Sequence, residues 1–411
     1  MATALIVALV MGFCLQATLV RRHTAHISAH RDVVPPAFAG HIPLAAHQKA
    51  ADYTCAKVRL GVMDFAVSGV LLLLWTLGGM LEYLDQLWRA NGFSPLWTGV
   101  AVVTSIVVIG ALLDLPLSLY RTFRLEQRFG FNRMTLRVFI MDLVKQGVLF
   151  VGIGIPLVSL VLWTMLSSTA YWWLYLWVIW LGFSLLMMWA YPAFIAPWFN
   201  KFRPLADESL RQRIESLLQR NGFASQGIFV MDGSSRSTHG NAYFTGMGAN
   251  KRIVFFDTLI GELSHEEIEA VLAHELGHFK CQHITKRIVV MAVVFLAGCA
   301  LLGWLAQQPW FYTDLGVATP SAHAGLILFL LIAPAFTFFI QPAFSWLSRQ
   351  HEFEADDFAA GQSQTTHLIH ALVKLYRENA NTLTPDPLYS SFHDSHPPAP
   401  VRIAHLQGSS A

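Results

Sequence analysis

The sequence predicts a mainly α membrane protein with about seven transmembrane helices and one long polar segment. Composition is the first reason: 54% of the 411 residues are hydrophobic and only 13% are charged, too apolar for a soluble chain of this size. The second is a series of apolar runs, at roughly 2–20, 61–84, 96–119, 146–167, 171–196, 287–310 and 322–346. Each approaches the length of about 20 residues that a helix needs to cross a hydrocarbon core about 30 Å thick. The third is the return of polar residues between the fifth and sixth runs, over about 197–286.

The first run, Ala2 to Val20, is the shortest. Its basic pair, Arg21 and Arg22, follows the apolar stretch instead of preceding it, so we read an uncleaved helix and not a secretory leader. Orientation follows from the loops, because Lys and Arg are retained on the cytoplasmic side. The first loop carries Arg21, Arg22, Arg31, Lys49, Lys57 and Arg59, and the third carries Arg121, Arg124, Arg128, Arg133 and Arg137. The fourth, around Ser167 to Ala170, and the sixth, around Phe311 to Ser321, carry none. The alternation predicts an external N-terminus, a cytosolic C-terminus and a cytosolic fifth loop. We divide the chain into an N-terminal membrane domain, 1–200, and a soluble-facing domain, 201–411, that includes the last two spans.

Asp64, Glu82, Asp114 and Asp142 fall within or near these runs, and each is expected to face protein or trapped water, since a charge in hydrocarbon is costly. A net charge of +2 without an interleaved basic patch argues against a nucleic-acid partner. The four cysteines, Cys14, Cys55, Cys281 and Cys299, form no paired motif and read as small core residues.

Chemistry concentrates in His265-Glu-Glu-Ile-Glu-Ala-Val-Leu-Ala-His274-Glu275-Leu276-Gly277-His278-Phe279. Ser264 with Glu267 makes a capping box, and Ile268, Val271, Leu272 and Leu276 recur at helical spacing, so the stretch is a helix. Residues four apart share a face, which lets His274 and His278 aim at one metal ion. Glu275, rotated by about 100°, sits beside that ion and can take a proton from an attacking water.

A catalytic zinc takes three protein ligands and keeps one open position. Glu352, in Arg349-Gln-His351-Glu352-Phe353-Glu354-Ala355-Asp356-Asp357, is the candidate third ligand. Asp356 lies one turn further on and can accept a hydrogen bond from the far nitrogen of a liganding histidine. The competing reading of this run is a solvated acidic face. His351 is the rival ligand, pointing elsewhere on the helix. His283, with most other histidines, receives no role.

With these residues in place, the sequence resembles the type I CAAX prenyl proteases, integral-membrane zinc metallopeptidases of the gluzincin type. The resemblance rests on five motifs. Tyr120-Arg-Thr-Phe-Arg-Leu-Glu-Gln-Arg-Phe-Gly130-Phe131-Asn132 is similar to the family's F-x-x-E-x-x-x-G-F-N loop. Ser237-Thr-His-Gly-Asn241-Ala242-Tyr243-Phe244 is followed by Lys251-Arg-Ile-Val-Phe-Phe-Asp257-Thr258-Leu259. The remaining three are His274 to His278, Glu352 to Asp356, and Tyr389-Ser-Ser-Phe-His393-Asp-Ser-His396-Pro397-Pro398.

The resemblance implies a seven-helix barrel around a water-filled chamber, closed at its cytosolic end by a zinc metalloprotease domain with a small β element. It implies one Zn²⁺ held by His274, His278 and Glu352, with Glu275 as general base. Asn241, Ala242, Tyr243 and Phe244 match the strand that pairs with substrate backbone, and His396 and Arg402 match groups near the scissile carbonyl. The family's acidic-Arg-Leu step reads here as Val401-Arg402-Ile403, which weakens the match at Arg402. The bland reading of His396 is a loop histidine held by its two prolines.

The implied partners are the bilayer and a peptide or protein, possibly prenylated, cut near its C-terminus. The membrane would be the inner membrane in a prokaryote or the endoplasmic reticulum in a eukaryote. Two alternatives are a membrane-protein quality-control peptidase, which fits fewer spans, and a non-catalytic chaperone or transporter, in which Glu275 would be dispensable.

Overall fold

The computed structural model describes residues 1–167, 170–223, 227–245 and 252–408. Lys251 of the second motif, and Ser168 and Thr169 of the fourth loop, lie outside them. Seven helices are long and apolar enough to cross a membrane: Ala2–Ala29, Leu44–Trp75, Pro95–Glu126, Leu136–Leu166, Trp172–Phe199, His283–Leu305 and Ala322–Gln362. They are apolar around most of their circumference, and large side chains such as Val107, Leu112, Val178, Leu186, Val289 and Val293 remain exposed. That is the pattern of helices whose outer faces meet lipid.

The second span is displaced from its sequence-based range. The helix begins at Leu44, where charged and apolar residues mix, and ends at Trp75. Apolar residues continue, but Gly79 adopts φ 73°, a left-handed conformation open to glycine, and a separate short helix runs over Met80–Arg89. Glu82 therefore lies outside the spans, where its carboxylate accepts from the Ala318 amide at 3.0 Å.

Asp64 faces Arg121 at 3.5 Å, and Asp142 pairs with Arg236 at 3.1 Å. Asp114 is exposed and makes no ion pair among the described residues. It stands one turn beyond Gly110, which lines the internal cavity.

The seventh helix does not stop where its apolar run stops. It crosses a tight three-residue turn at Phe338–Ile340 and continues to Gln362, so one rod of about 60 Å carries Glu352 and Asp356 out of the lipid-facing region.

The polar segment folds into a four-stranded sheet packed on helices. Its strands are β1 (Phe202–Pro204), β2 (Ile228–Met231), β3 (Ala242–Thr245) and β4 (Arg252–Phe256), in the order β1-β2-β4-β3. β2 and β4 run parallel, while β1 and β3 are antiparallel to their neighbours. Ile253 and Phe255 of β4 are fully buried against Leu210, Ile214, Ile268 and Leu276. Each such side chain contributes roughly 1.5–3 kcal/mol by leaving water. This core fixes the helix that carries the two histidines. β3 stands at the edge of the sheet.

Candidate active site

The histidine helix spans His265–Lys280 and starts on the expected capping box, with Ser264 accepting from the Glu267 amide and Glu267 accepting from the Ser264 amide. Ligand atoms of His274, His278 and Glu352 lie within 4.8 Å of one another. The close approach of the two helices depends on Gly277: a Cβ there would stand 3.0 Å from the Ala355 Cα and 3.1 Å from its carbonyl oxygen. The helix bearing Glu352 can thus lie directly on the histidine helix.

Each imidazole is oriented by a different set of partners. His274 Nδ1 lies 2.8 Å from Asp356 Oδ1, and a carboxylate can only accept, so the ring donates there and, when neutral, presents a bare Nε2. Asp356 is fully buried and is also gripped by Arg402, whose Nε donates to Oδ2 at 2.8 Å while Nη2 donates to Oδ1. On the other side, His283 Nε2 lies 2.9 Å from Glu354 Oε2 and must donate to it. A neutral His283 then accepts at Nδ1 from His278 Nδ1, 2.9 Å away. His278 therefore also presents a bare Nε2.

These two lone pairs face Glu352, with His274 Nε2 3.5 Å from Oε2 and His278 Nε2 3.5 Å from Oε1. Glu352 Oε2 is buried and has no hydrogen-bond partner among the described residues. Three acceptors converging on one point, one of them orphaned, form a donor set that a cation satisfies, and two imidazoles with one carboxylate suit a divalent metal.

Electrostatics set the two rings apart. Burial and the Arg402 guanidinium oppose charge on His274, but the Asp356 carboxylate it donates to and the Glu352 carboxylate that faces it outweigh them and raise it to about 9, so a cation bound at Nε2 takes the place of the ring's second proton. Burial pushes His278 down to about 4, with His274 adding to the effect. Burial also raises the Glu275 carboxyl above its ordinary value, and the charge on Glu352 adds to that rise.

Glu275 and His278 line a cavity of about 1540 Å³ that reaches between the membrane helices and includes Tyr243, Phe244 and His396. Asn241 and Ala242 line a second cavity, of about 610 Å³, which also reaches His274, Glu275, Glu352 and Arg402. His396 Nε2 lies 3.3 Å from Glu352 Oε1 and its side chain is 65% exposed. Arg402 lines the same second cavity. It is buried, its fork is occupied by Asp356, and Nη1 lies 3.7 Å from Glu352 Oε2.

Several contributors have no signal in sequence spacing. Arg349 donates to the carbonyls of Ser391 at 3.1 Å and Asp394 at 2.8 Å, fastening the loop that bears His396. Asn379 accepts from the Gly240 amide at 3.1 Å and so anchors the approach to β3. The first two motifs meet each other. Tyr53 donates to Glu126 at 2.7 Å, His239 faces Glu126 at 3.7 Å, and Asn132 bridges to Ser237. His283 carries no such signal because it lies five positions beyond His278, across a bend that helical periodicity does not anticipate.

Comparison with known proteins shows the family and the fold. A family model described as CAAX prenyl protease N-terminal, five membrane helices, matches residues 23–201, and the model of peptidase family M48 matches 204–410. A CAAX prenyl protease 1 homolog of Arabidopsis thaliana is 37% identical over 350 residues, covering 84% of this chain and 82% of that protein. CAAX prenyl protease 1 of Saccharomyces cerevisiae is 38% identical over 315 residues, covering 72% and 69%. The crystal structure of S. mikatae Ste24p superimposes with a TM-score of 0.92 at 30% identity, covering 98% of both chains. The two family matches, the identities and the shared fold together place the chain in the CAAX prenyl protease family of M48 peptidases, as an integral, multi-pass membrane metalloendopeptidase.

Proposed function

We propose that this chain uses one Zn²⁺, held by His274, His278 and Glu352, to cut prenylated CaaX proteins near their C-terminus on the cytosolic side of the membrane. The observation that carries the reading is the convergence of those three acceptors beside the half-buried Glu275, where a large membrane cavity meets an edge strand. Zinc is favoured over a harder cation by the two imidazoles. The cytosolic assignment rests on the basic first and third loops. The prenyl assignment rests on the names of the relatives and on apolar side chains such as Leu9, Phe65, Val294 and Phe338 that line the cavity. In this reading residues 1–200 build the membrane domain and 201–411 the peptidase domain.

When bound by His274, His278 and Glu352, zinc would supply polarisation of the substrate carbonyl and acidification of water. The protein's own groups do the rest. β3, with Asn241 leading into Ala242, Tyr243 and Phe244, offers free backbone groups on its outer side, so a peptide can be held extended as an added strand. Glu275 removes the proton of the attacking water and passes it to the leaving amine as the peptide C–N bond breaks. His396, exposed and close to Glu352, donates to the carbonyl oxygen as negative charge develops there. Arg402 and Asp356 act through His274, holding its tautomer.

The test is metal content together with cleavage of a farnesylated CaaX peptide by purified wild type and by Glu275→Gln. Wild type should cleave, and the variant should keep its zinc while turnover falls by about 10²–10⁴-fold. Zinc without cleavage in both proteins removes the substrate assignment. Equal cleavage by both removes Glu275 from the chemistry.

A further inference from the structure

We propose that Cys281, His283 and Glu354 form a second cation site, for Zn²⁺ or a similarly thiophilic divalent ion, whose occupation opposes metal binding at His278. One ligand atom from each of the three lies within 4.8 Å of the others. The cluster adjoins the first site without sharing a ligand with it.

The backbone builds this cluster at one unusual residue. Cys281 ends the histidine helix, His283 begins the sixth span, and the single residue between them, Gln282, adopts φ 56°. A non-glycine side chain in the left-handed region is uncommon and costs about 1 kcal/mol or more. The bend folds Cys281 and His283 toward one side, and the seventh helix supplies Glu354 opposite them. His351 stacks on the His283 ring at 4.1 Å between centroids and holds its plane. Thiolate, imidazole and carboxylate together select zinc or cadmium over magnesium or calcium. Glu354 is about half exposed, so an ion can reach it. On binding, Cys281 gives its proton to solvent, and Lys286, 3.4 Å from Glu354 Oε2, gives way.

The opposition follows from counting protons, and it rests on the reading of His278 as a ligand of the first metal. Two ring nitrogens, His278 Nδ1 and His283 Nδ1, face each other at 2.9 Å with room for one proton between them. While His283 Nε2 donates to Glu354, that proton belongs to His278, and His278 Nε2 is bare for the first metal. An ion at Cys281, His283 and Glu354 takes the Nε2 lone pair of His283. Neutral His283 must then carry its proton on Nδ1, where it points at His278 Nδ1. To accept it, His278 must move its own proton to Nε2, the atom that faces Glu352. One ion therefore disfavours the other through a tautomer exchange in two adjacent rings.

The test uses the full chain in detergent, loaded with one equivalent of zinc and carrying Glu275→Gln so that turnover plays no part. Cd²⁺ is titrated while alkylation of Cys281 is followed on its own peptide by mass spectrometry and zinc release is followed with a chromophoric chelator. The expected result is that Cd²⁺ slows Cys281 alkylation by about tenfold or more and that zinc leaves in step. Glu354→Gln, with Cys281 intact, should need about tenfold more Cd²⁺ for the same protection. Cys281→Ser should keep its zinc at concentrations that strip the Cys281 protein. Alkylation indifferent to Cd²⁺, or zinc loss from Cys281→Ser at the same Cd²⁺ concentration as from its parent, overturns the proposal. A chain that never holds its first zinc equivalent refutes the proposed function instead, and that result is read separately.

Discussion

His274 and His278 are one helical turn apart and chemically identical, yet the structure backs them in opposite ways. Behind His274 stands a sealed pair of full charges, Asp356 and Arg402, at 0% and 7% exposure. Behind His278 stands another imidazole, His283, whose own partner Glu354 is about half exposed. The first arrangement is rigid because any loss leaves a buried ion without its counterion. The second is adjustable, because solvent can replace what Glu354 supplies. A metal site can thus be anchored on one side and left open to modulation on the other.

The contrast is sharpest for Asp356→Asn. Removing that charge strands the Arg402 guanidinium in the interior and should cost about 3–5 kcal/mol of stability, read as a lowered melting temperature in detergent. An unchanged melting temperature would erase the distinction between the two sides. Gly277→Ala tests the contact on which both sides depend. Its Cβ meets backbone, which cannot rotate away, and overpacking of this kind costs about 1–3 kcal/mol. Metal content should fall with it, since the Glu352 helix is pushed off the histidine helix. His283→Gln should weaken zinc binding by about tenfold, measured by competition with a chelator, with little change in stability. Glu354→Gln, at the exposed end, should change stability by less than about 1 kcal/mol.

The pH profile adds a check on Glu275, which belongs to neither side. A general base must be ionised, and burial raises this carboxyl above the ordinary glutamate value. Activity should therefore be complete on the alkaline side of that raised value and be lost as pH falls through it. The acid limb should sit higher than for an exposed glutamate, and should disappear in the residual activity of Glu275→Gln.

The sequence made some of this legible and hid the rest for identifiable reasons. Six spans emerged near their apolar runs because length and hydropathy suffice for a helix in lipid. The second did not, because its first four turns are amphipathic and its end is set by a glycine conformation. The grouping of His274, His278 and Glu352 could be anticipated from a four-residue repeat and one acidic helix. His283, Arg349 and the fork of Arg402 on Asp356 could not, since each depends on how separate elements dock. The edge position of β3 had no local signal and followed only from the family resemblance, because strand order is decided by a crossover and not by any local pattern.

The seventh helix has one more consequence. Its lipid-facing stretch and its ligand-bearing stretch are joined at Phe338–Ile340, just after Pro334, where a different winding interrupts the regular hydrogen-bond ladder. Bilayers of different thickness demand different tilts of the same helix. A joint at that point lets the upper stretch lean while Glu352 and Asp356 stay clasped to the histidine helix, so the geometry of catalysis is insulated from the membrane in which it works.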